Sequence, residues 1–271
     1  MSGGYAGKIL RVNLTEEKID TIATSRYEEF GGGLGMGAAI FWDLCVAPGI
    51  WNPQDAFAPG NLISLMTGPL AGTGVASAGR LSISGLAPQS WPVTWFSHSN
   101  MGGYFASFLK FAGWDGVVIE GKASAPVYIN IINDNVTLED AGELWGLDTW
   151  TTQETLWKIH GDRNRVRYGE EWQNISGFRT LQRPAIVTIG PAGENKSRIG
   201  ALIHGGGSGG GQGGFGGVFG SKNLKAIMVL GSNAISPANP RGVLDAREWV
   251  HSRWPPGLRS GNGSISSSCL G

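Results

Sequence analysis

The residues best suited to chemistry in this chain lie within Gly68–Gly121, and the chemistry they suit is oxyanion binding. Ala78-Gly79-Arg80 places a lone cation between small residues, and Ser99-Asn100-Met101-Gly102-Gly103-Tyr104 precedes a short apolar run with helical spacing. Paired glycines let a ligand reach the backbone because no Cβ intervenes. A helix over Gly103–Ala112 would turn free N–H groups toward an anion, and a nearby arginine would complete a phosphate site. A second glycine-dense stretch, Gly205–Gly217, stands between apolar segments and ahead of Val218-Phe219-Gly220-Ser221-Lys222. Its composition fits a backbone-lined pocket or a flexible linker; its place between two strand patterns favours the pocket.

Composition limits the alternatives. Charged residues are 15% of the 271, below the roughly 25% of an average soluble protein. With 21 basic and 21 acidic residues the formal net charge is zero, which gives no electrostatic case for nucleic acid. A near-neutral surface and 11 tryptophans suit a loop-rich, partly β protein that associates with other chains. Cys45 and Cys269 form no C-x-x-C motif, so the sequence supplies no metal or iron–sulfur ligand set, and two free thiols fit a reducing cytosol. No apolar run reaches the length of a bilayer span, and the start of the chain lacks a secretory pattern. The expected location is cytoplasmic.

The elements that must position these residues follow from pattern. Lys8–Leu14 and Lys18–Ala23 alternate around a polar turn and predict a hairpin. Gly31–Gly37 carries fragments of a dinucleotide fingerprint, but no βαβ unit surrounds it; a turn letting the helix over Ala38–Leu44 pack closely on a sheet is preferred. Strands are expected over Asn61–Thr67, Arg80–Ser84, Val93–Phe96, Gly116–Glu120, Pro126–Ile132, Val136–Glu139, Pro184–Ile189 and Leu224–Leu230. The Val93–Phe96 strand delivers Ser97–Gly103 to its end. Helices are expected over Tyr104–Ala112 and over Asp148–Ile159, the latter capped by Thr151 or Thr152. The arginine-rich, aperiodic residues 161–183 read as a solvated surface loop rather than an anion-binding arm. His98 reads as a structural hydrogen-bonder, and Trp91, Trp95, Tyr104 and Trp114 as core or interface.

The pieces GKILRVNLT, GGLGMGAAIFWD, NLISLMTGPLAGTGVASAGR, SNMGGYFASFLKFAGWDGVVIEGKA, PVYINIINDNV, IGPAGEN and GGFGGVFGSKNLKAI, spread over about residues 5–230, resemble the N-terminal domain of the tungsten-dependent aldehyde:ferredoxin oxidoreductases and their aromatic acyl-CoA reductase relatives. The resemblance implies an α+β fold: a β-rich saddle of two packed sheets with short helices, seating tungsten or molybdenum held by two pterins. It makes residues 1–235 the cofactor-seating domain. Residues 236–271 become a linker or the start of a further domain, an irregular tail in which Val243–Val250 has the pattern to begin a helix. By the same resemblance Arg80 lies between a pterin and a 4Fe–4S cluster. The backbone carbonyls of Asn100 and Gly209 hold a Mg²⁺ that bridges the pterin phosphates, and Met101, Gly102 and Gly103 belong to the phosphate-contacting loop.

Two departures accompany the resemblance. The family's second loop usually carries arginines where this chain has Ser208 and Gln212; a charge-assisted hydrogen bond is worth roughly 1.5–3 kcal/mol. Cluster ligands and substrate-side groups sit in later domains of the family. The implied activity, aldehyde oxidation to carboxylic acid with electrons passed to ferredoxin, therefore needs a partner chain or further domains carrying the cluster, and homo- or hetero-oligomers are expected. The competing expectation is a non-catalytic scaffold or truncated paralogue.

Overall fold

The computed structural model describes residues 3–52, 54–162 and 183–253. Its strands are β1 (Lys8–Asn13), β2 (Lys18–Ala23), β3 (Ile63–Met66), β4 (Leu81–Ala87), β5 (Trp95–Met101), β6 (Gly116–Glu120), β7 (Val127–Ile132), β8 (Asn135–Asp140), β9 (Ala185–Thr188), β10 (Leu202–His204), β11 (Ser208–Gly210) and β12 (Leu224–Leu230). The helices are α1 (Gly33–Phe41), α2 (Phe105–Phe111), α3 (Thr149–Asp162), α4 (Pro191–Glu194), α5 (Phe215–Ser221) and α6 (Pro240–Ser252).

The strands form two six-stranded sheets, ordered β2-β1-β6-β3-β4-β5 and β8-β7-β12-β9-β10-β11. The second order is the first displaced by six strands, so the chain holds two halves of one topology. In each half the last strand returns parallel to the first, β6 beside β1 and β12 beside β7, and every other pairing is antiparallel. A parallel pairing needs a long crossover; here the crossover is the rest of each half. This is the expected β-rich α+β architecture.

Side-chain alternation builds the layers. Leu10, Val12, Val117 and Ile119 of the first sheet share one core with Ile129, Ile131, Ile227 and Val229 of the second. Phe105 and Leu109 of α2, with Phe215 and Phe219 of α5, fill the same core. The alternate residues face outward under a helix. Ile9, Met66 and Val118 meet Met36 and Ile40 of α1, while Tyr128, Ile186, Ala226 and Met228 meet Leu156 of α3. The turn preferred for Gly31–Gly37 has its reason here: a Cβ at Gly37 would stand 2.5 Å from Ser84 Oγ and 2.8 Å from Ser64 Oγ. The helix begins inside that glycine run, earlier than the expected Ala38.

Other boundaries also differ. Ser97–Met101 belongs to β5 itself rather than to a loop beyond it, because those residues pair with Leu81–Gly85 along β4. Asp148, not a threonine, caps α3: its carboxylate accepts from the N–H groups of Trp150 (2.8 Å) and Thr151 (2.9 Å). Within the tail, Pro240–Ser252 is helical, with Asn239 Oδ1 accepting from Gly242 N–H at 2.9 Å. The arginine-rich segment 161–183 lies outside the described residues except for positions 161, 162 and 183.

Buried ions tie loops to this frame. The Asp115 carboxylate accepts from the N–H groups of Ala6 (2.9 Å) and Gly7 (2.8 Å) and from Thr24 Oγ1 (2.7 Å), and it pairs with Lys110. Burial pulls the Lys110 ammonium below its ordinary value, against the pull of Asp115. In the second half Lys225 pairs with Glu194 and donates to the Leu147 carbonyl at 2.8 Å. Removing one member of a buried pair strands the other charge. Asp115→Ala is therefore expected to lower the unfolding free energy by about 3–5 kcal/mol, and the K110M/D115L double variant to lose less, measured by urea denaturation. A loss below about 1 kcal/mol for Asp115→Ala would show the network to be dispensable.

Candidate functional site

β5 and β11 are the outer strands of their sheets, and the fold sets them side by side. A Cβ on Gly210 would lie 2.7 Å from Ile83 Cδ1, 3.6 Å from Ser99 Oγ and 3.8 Å from Met101 Cβ. Ser208 Oγ stands 3.7 Å from the Cβ position of Gly102 and 3.3 Å from that of Gly103. The two glycine stretches singled out in the sequence, roughly a hundred residues apart, thus meet at one seam. Asn100 is opposite Ser82 in the β4–β5 register, and Gly209 opposite Ile203 in the β10–β11 register. Beside the seam is an open cleft of ≈ 360 Å³, lined by the Gly31–Gly33 turn, Arg80, Ser82, His98 and Asn100.

The sequence reading missed the residue that sets the first loop. His204 is buried. Its Nε2 accepts from the Tyr104 N–H at 3.2 Å, and its Nδ1–H donates to the Ile186 carbonyl at 2.7 Å. A backbone amide can only donate and a carbonyl only accept, so the partners fix the neutral Nδ1–H tautomer. The Tyr104 ring lies edge-on, 4.4 Å between centroids. Gly103 is held at φ +86, and a Cβ there would stand 2.4 Å from the imidazole, so no other residue fits the turn. The only local sign in the sequence is a lone histidine entering a glycine run.

The second loop is pinned from two sides. Gln153 of α3 accepts from Gly205 N–H through Oε1 at 2.8 Å. Gln89, after β4, accepts from Gly213 N–H at 2.7 Å. Arg198 donates to the Ser90 carbonyl at 2.7 Å and lies over the Trp91 ring. Gly205–Gly217 is therefore a braced loop rather than a linker. Nothing stands within 4 Å of the Cβ positions of Gly206, Gly207 and Gly211, so this backbone is open to a ligand.

The expected site residues divide accordingly. Arg80, Asn100, Gly102, Gly103 and Gly209 lie at the seam or the cleft. The Met101 side chain is buried in the shared core, which leaves only its backbone for a ligand. The first amide ahead of α2, on Tyr104, is taken by His204 and is not free for an anion. Among the described residues no group of three or more His, Cys, Asp and Glu is placed to hold an ion. The donors present, backbone carbonyls and neutral oxygens, suit a hard cation such as Mg²⁺.

The model of the family "Aldehyde ferredoxin oxidoreductase, N-terminal domain" matches residues 9–231. The chain belongs to that family. It is 37% identical over 236 residues to a tungsten-containing aldehyde ferredoxin oxidoreductase of Pyrococcus abyssi, covering 87% of this chain and 35% of the relative. It is 36% identical over 238 residues to an aliphatic sulfonate oxidoreductase, WOR-like subunit, of Pyrococcus furiosus, covering 85% and 35%. Among solved structures, the active site complex BamBC of benzoyl coenzyme A reductase, in complex with 1,5 dienoyl-CoA, is similar at a TM-score of 0.73 and 32% identity, over 87% of this chain and 32% of that one. The chain spans about a third of the length of these relatives.

His204 gives a test of the braced seam. Burial holds its imidazole below the ordinary 6.5, so the unfolded chain takes the proton first as pH falls. The stability this contributes is full above about 6.5 and declines as the pH drops from there toward the folded-state value. His204→Phe should lose this part of the pH dependence. It should also cost about 1–3 kcal/mol by leaving two buried backbone groups unpaired. Chemical denaturation across that pH range checks both; parallel profiles for the two proteins would remove His204 from this role.

Proposed function

We propose that this chain seats a tungsten or molybdenum bis-pterin cofactor, as the N-terminal portion of an oxidoreductase that oxidises aldehydes to carboxylic acids and passes the electrons to ferredoxin. The observation that carries this reading is the seam, where two glycine loops from the two halves meet beside a lone arginine. Such a seat offers backbone to phosphate groups at close range. Gly102 and Gly103 would approach the pterin phosphates, and the carbonyls of Asn100 and Gly209 would hold a bridging Mg²⁺. Arg80 would place its cation beside a pterin and the neighbouring 4Fe–4S cluster. When bound, the cofactor supplies the redox-active metal; the chain binds and orients it. The cluster and the groups that handle the aldehyde belong to partner chains or further domains.

Ser208 and Gln212 favour a second reading, a non-catalytic scaffold, because they remove two cations from the loop that faces the phosphates. Elemental analysis with pterin fluorescence on natively purified protein separates the two. The cofactor-seating reading expects stoichiometric tungsten or molybdenum with pterin. It also expects Asn100→Asp to disturb Mg²⁺-dependent retention of the cofactor and Arg80→Ala to reduce turnover of the assembled enzyme. Protein free of metal and pterin would favour the scaffold, and unchanged metal content and turnover in both variants would sink the site assignment.

A further inference from the structure

The bond by which His204 holds the first glycine loop depends on the charge of its ring. Nε2 accepts from the Tyr104 N–H at 3.2 Å, while Nδ1–H is committed to the Ile186 carbonyl at 2.7 Å. An imidazolium carries a hydrogen on both nitrogens and accepts at neither. Protonated, Nε2–H would face the Tyr104 N–H, donor against donor, and the turn Gly102–Tyr104 would lose its hydrogen bond to β10. The ring has little freedom to turn aside, since Nδ1 is tied to β9 and the rings of Tyr104 and Phe105 stand edge-on at 4.4 and 5.9 Å between centroids. The groups around it are neutral or distant. From α2 comes the Tyr104 phenol, which burial holds above its ordinary value, and the Arg183 cation ahead of β9 acts on that phenol. From β11 comes the Ser208 hydroxyl, 3.3 Å from the Cβ position of Gly103, and from α3 the Gln153 amide, bonded to Gly205. Among the described residues no carboxylate lies within ion-pair distance to hold an imidazolium in place.

We infer that His204 is a proton-operated latch on the Gly102–Tyr104 turn: the neutral imidazole holds the turn closed on the seam, and protonation releases it. Gly102 and Gly103 supply the hinge. Neither has a side chain, and Gly103 sits at φ +86, so the backbone can swing once the bond is gone. Opening exposes the ring to water. The open turn therefore takes its proton near the ordinary 6.5, and the closed turn, where burial opposes the charge, takes it lower. Protons accordingly favour the open turn, by about tenfold for each pH unit below 6.5 until the closed-state value is passed. If the turn contacts pterin phosphates, the same latch makes retention of the cofactor acid-sensitive. That consequence rests on the proposed cofactor seat; the latch itself does not.

Hydrogen exchange on the 271-residue chain between pH 8 and pH 5, corrected for the intrinsic pH dependence of exchange, reads the turn at the Tyr104 amide, with the amides of β12 as reference. Protection of Tyr104 should be level above neutral pH and fall about tenfold per pH unit below 6.5, while that of β12 holds. In His204→Gln, whose side chain gains no proton in this range, protection of Tyr104 should not vary with pH, whatever its level. Steady protection in the parent chain, an equal fall in His204→Gln, or a fall shared by β12 overturns the inference. Pterin fluorescence retained at pH 5 on protein whose turn has opened would refute the phosphate role of Gly102 and Gly103 and leave the latch standing. A chain that carries no pterin would refute the cofactor seat, and the exchange experiment would still decide the latch.

Discussion

Everything at the site depends on the absence of side chains where the edges of β5 and β11 meet. Gly103 takes its turn against the His204 ring at a separation no Cβ would survive, and a Cβ on Gly210 would press on the Ile83 terminal methyl at 2.7 Å. The two sheets can bring their outer strands together only because both positions are bare. Once they are together, residues from opposite halves of the chain share one surface. Neither half carries the seam alone, so the site exists only if the duplicated fold closes as a unit.

Closing the fold leaves connecting segments whose carbonyls have no strand to pair with, and buried lysines answer them. Lys110 reaches the Gly4 carbonyl at 2.6 Å, and Lys222 reaches those of Pro59 (3.1 Å) and Gly121 (2.9 Å). Among the described residues no carboxylate lies within ion-pair distance of Lys222, and burial brings its ammonium down to about 7. Lys110 and Lys225 keep acidic partners. Lys110 lies in α2 and Lys222 just after α5, the helices that lead into the last strand of each half, and Lys225 lies in that strand of the second half, β12. A long stem passing through the core with a polar head on backbone oxygens fits such a crossing, where a shorter polar residue would not span the distance.

Local pattern revealed much of this architecture. The hairpin at Lys8–Ala23, the buried strands and the glycine turn under α1 were legible because alternation, apolar runs and breakers are short-range signals. The glycine loops were legible as exposed, side-chain-free backbone, and resemblance assigned Asn100 and Gly209 to one site. Four features were not legible. The start of α1 inside Gly31–Gly37 contradicts helix propensity and is decided by packing on Ser64 and Ser84. Asp148 took the cap from the threonines because its carboxylate reaches two amides at once. His204 acts across a hundred residues, and no spacing rule connects it to Tyr104. Ser82 reads as an ordinary polar position on an alternating strand, and only the fold shows that its hydroxyl is left without a partner.

The repeated topology also separates scaffold from chemistry. The first half brings a guanidinium, an imidazole and a carboxamide to the cleft. The second brings mostly bare backbone, with Ser208 and Gln212 as its polar side chains. A ligand with two equivalent ends laid across the seam would therefore meet the Arg80 cation on one side and dipoles on the other. Dipoles of the backbone are fixed in direction and keep little of their strength beyond contact distance, whereas a cation acts over a Debye length of about 8–10 Å in physiological salt. The asymmetry therefore sets an order to recognition: the charged half can attract an anion from a distance, and the glycine half can hold it only at contact. The duplication gives the two halves matching frames, and the side chains at the edges decide what each frame does.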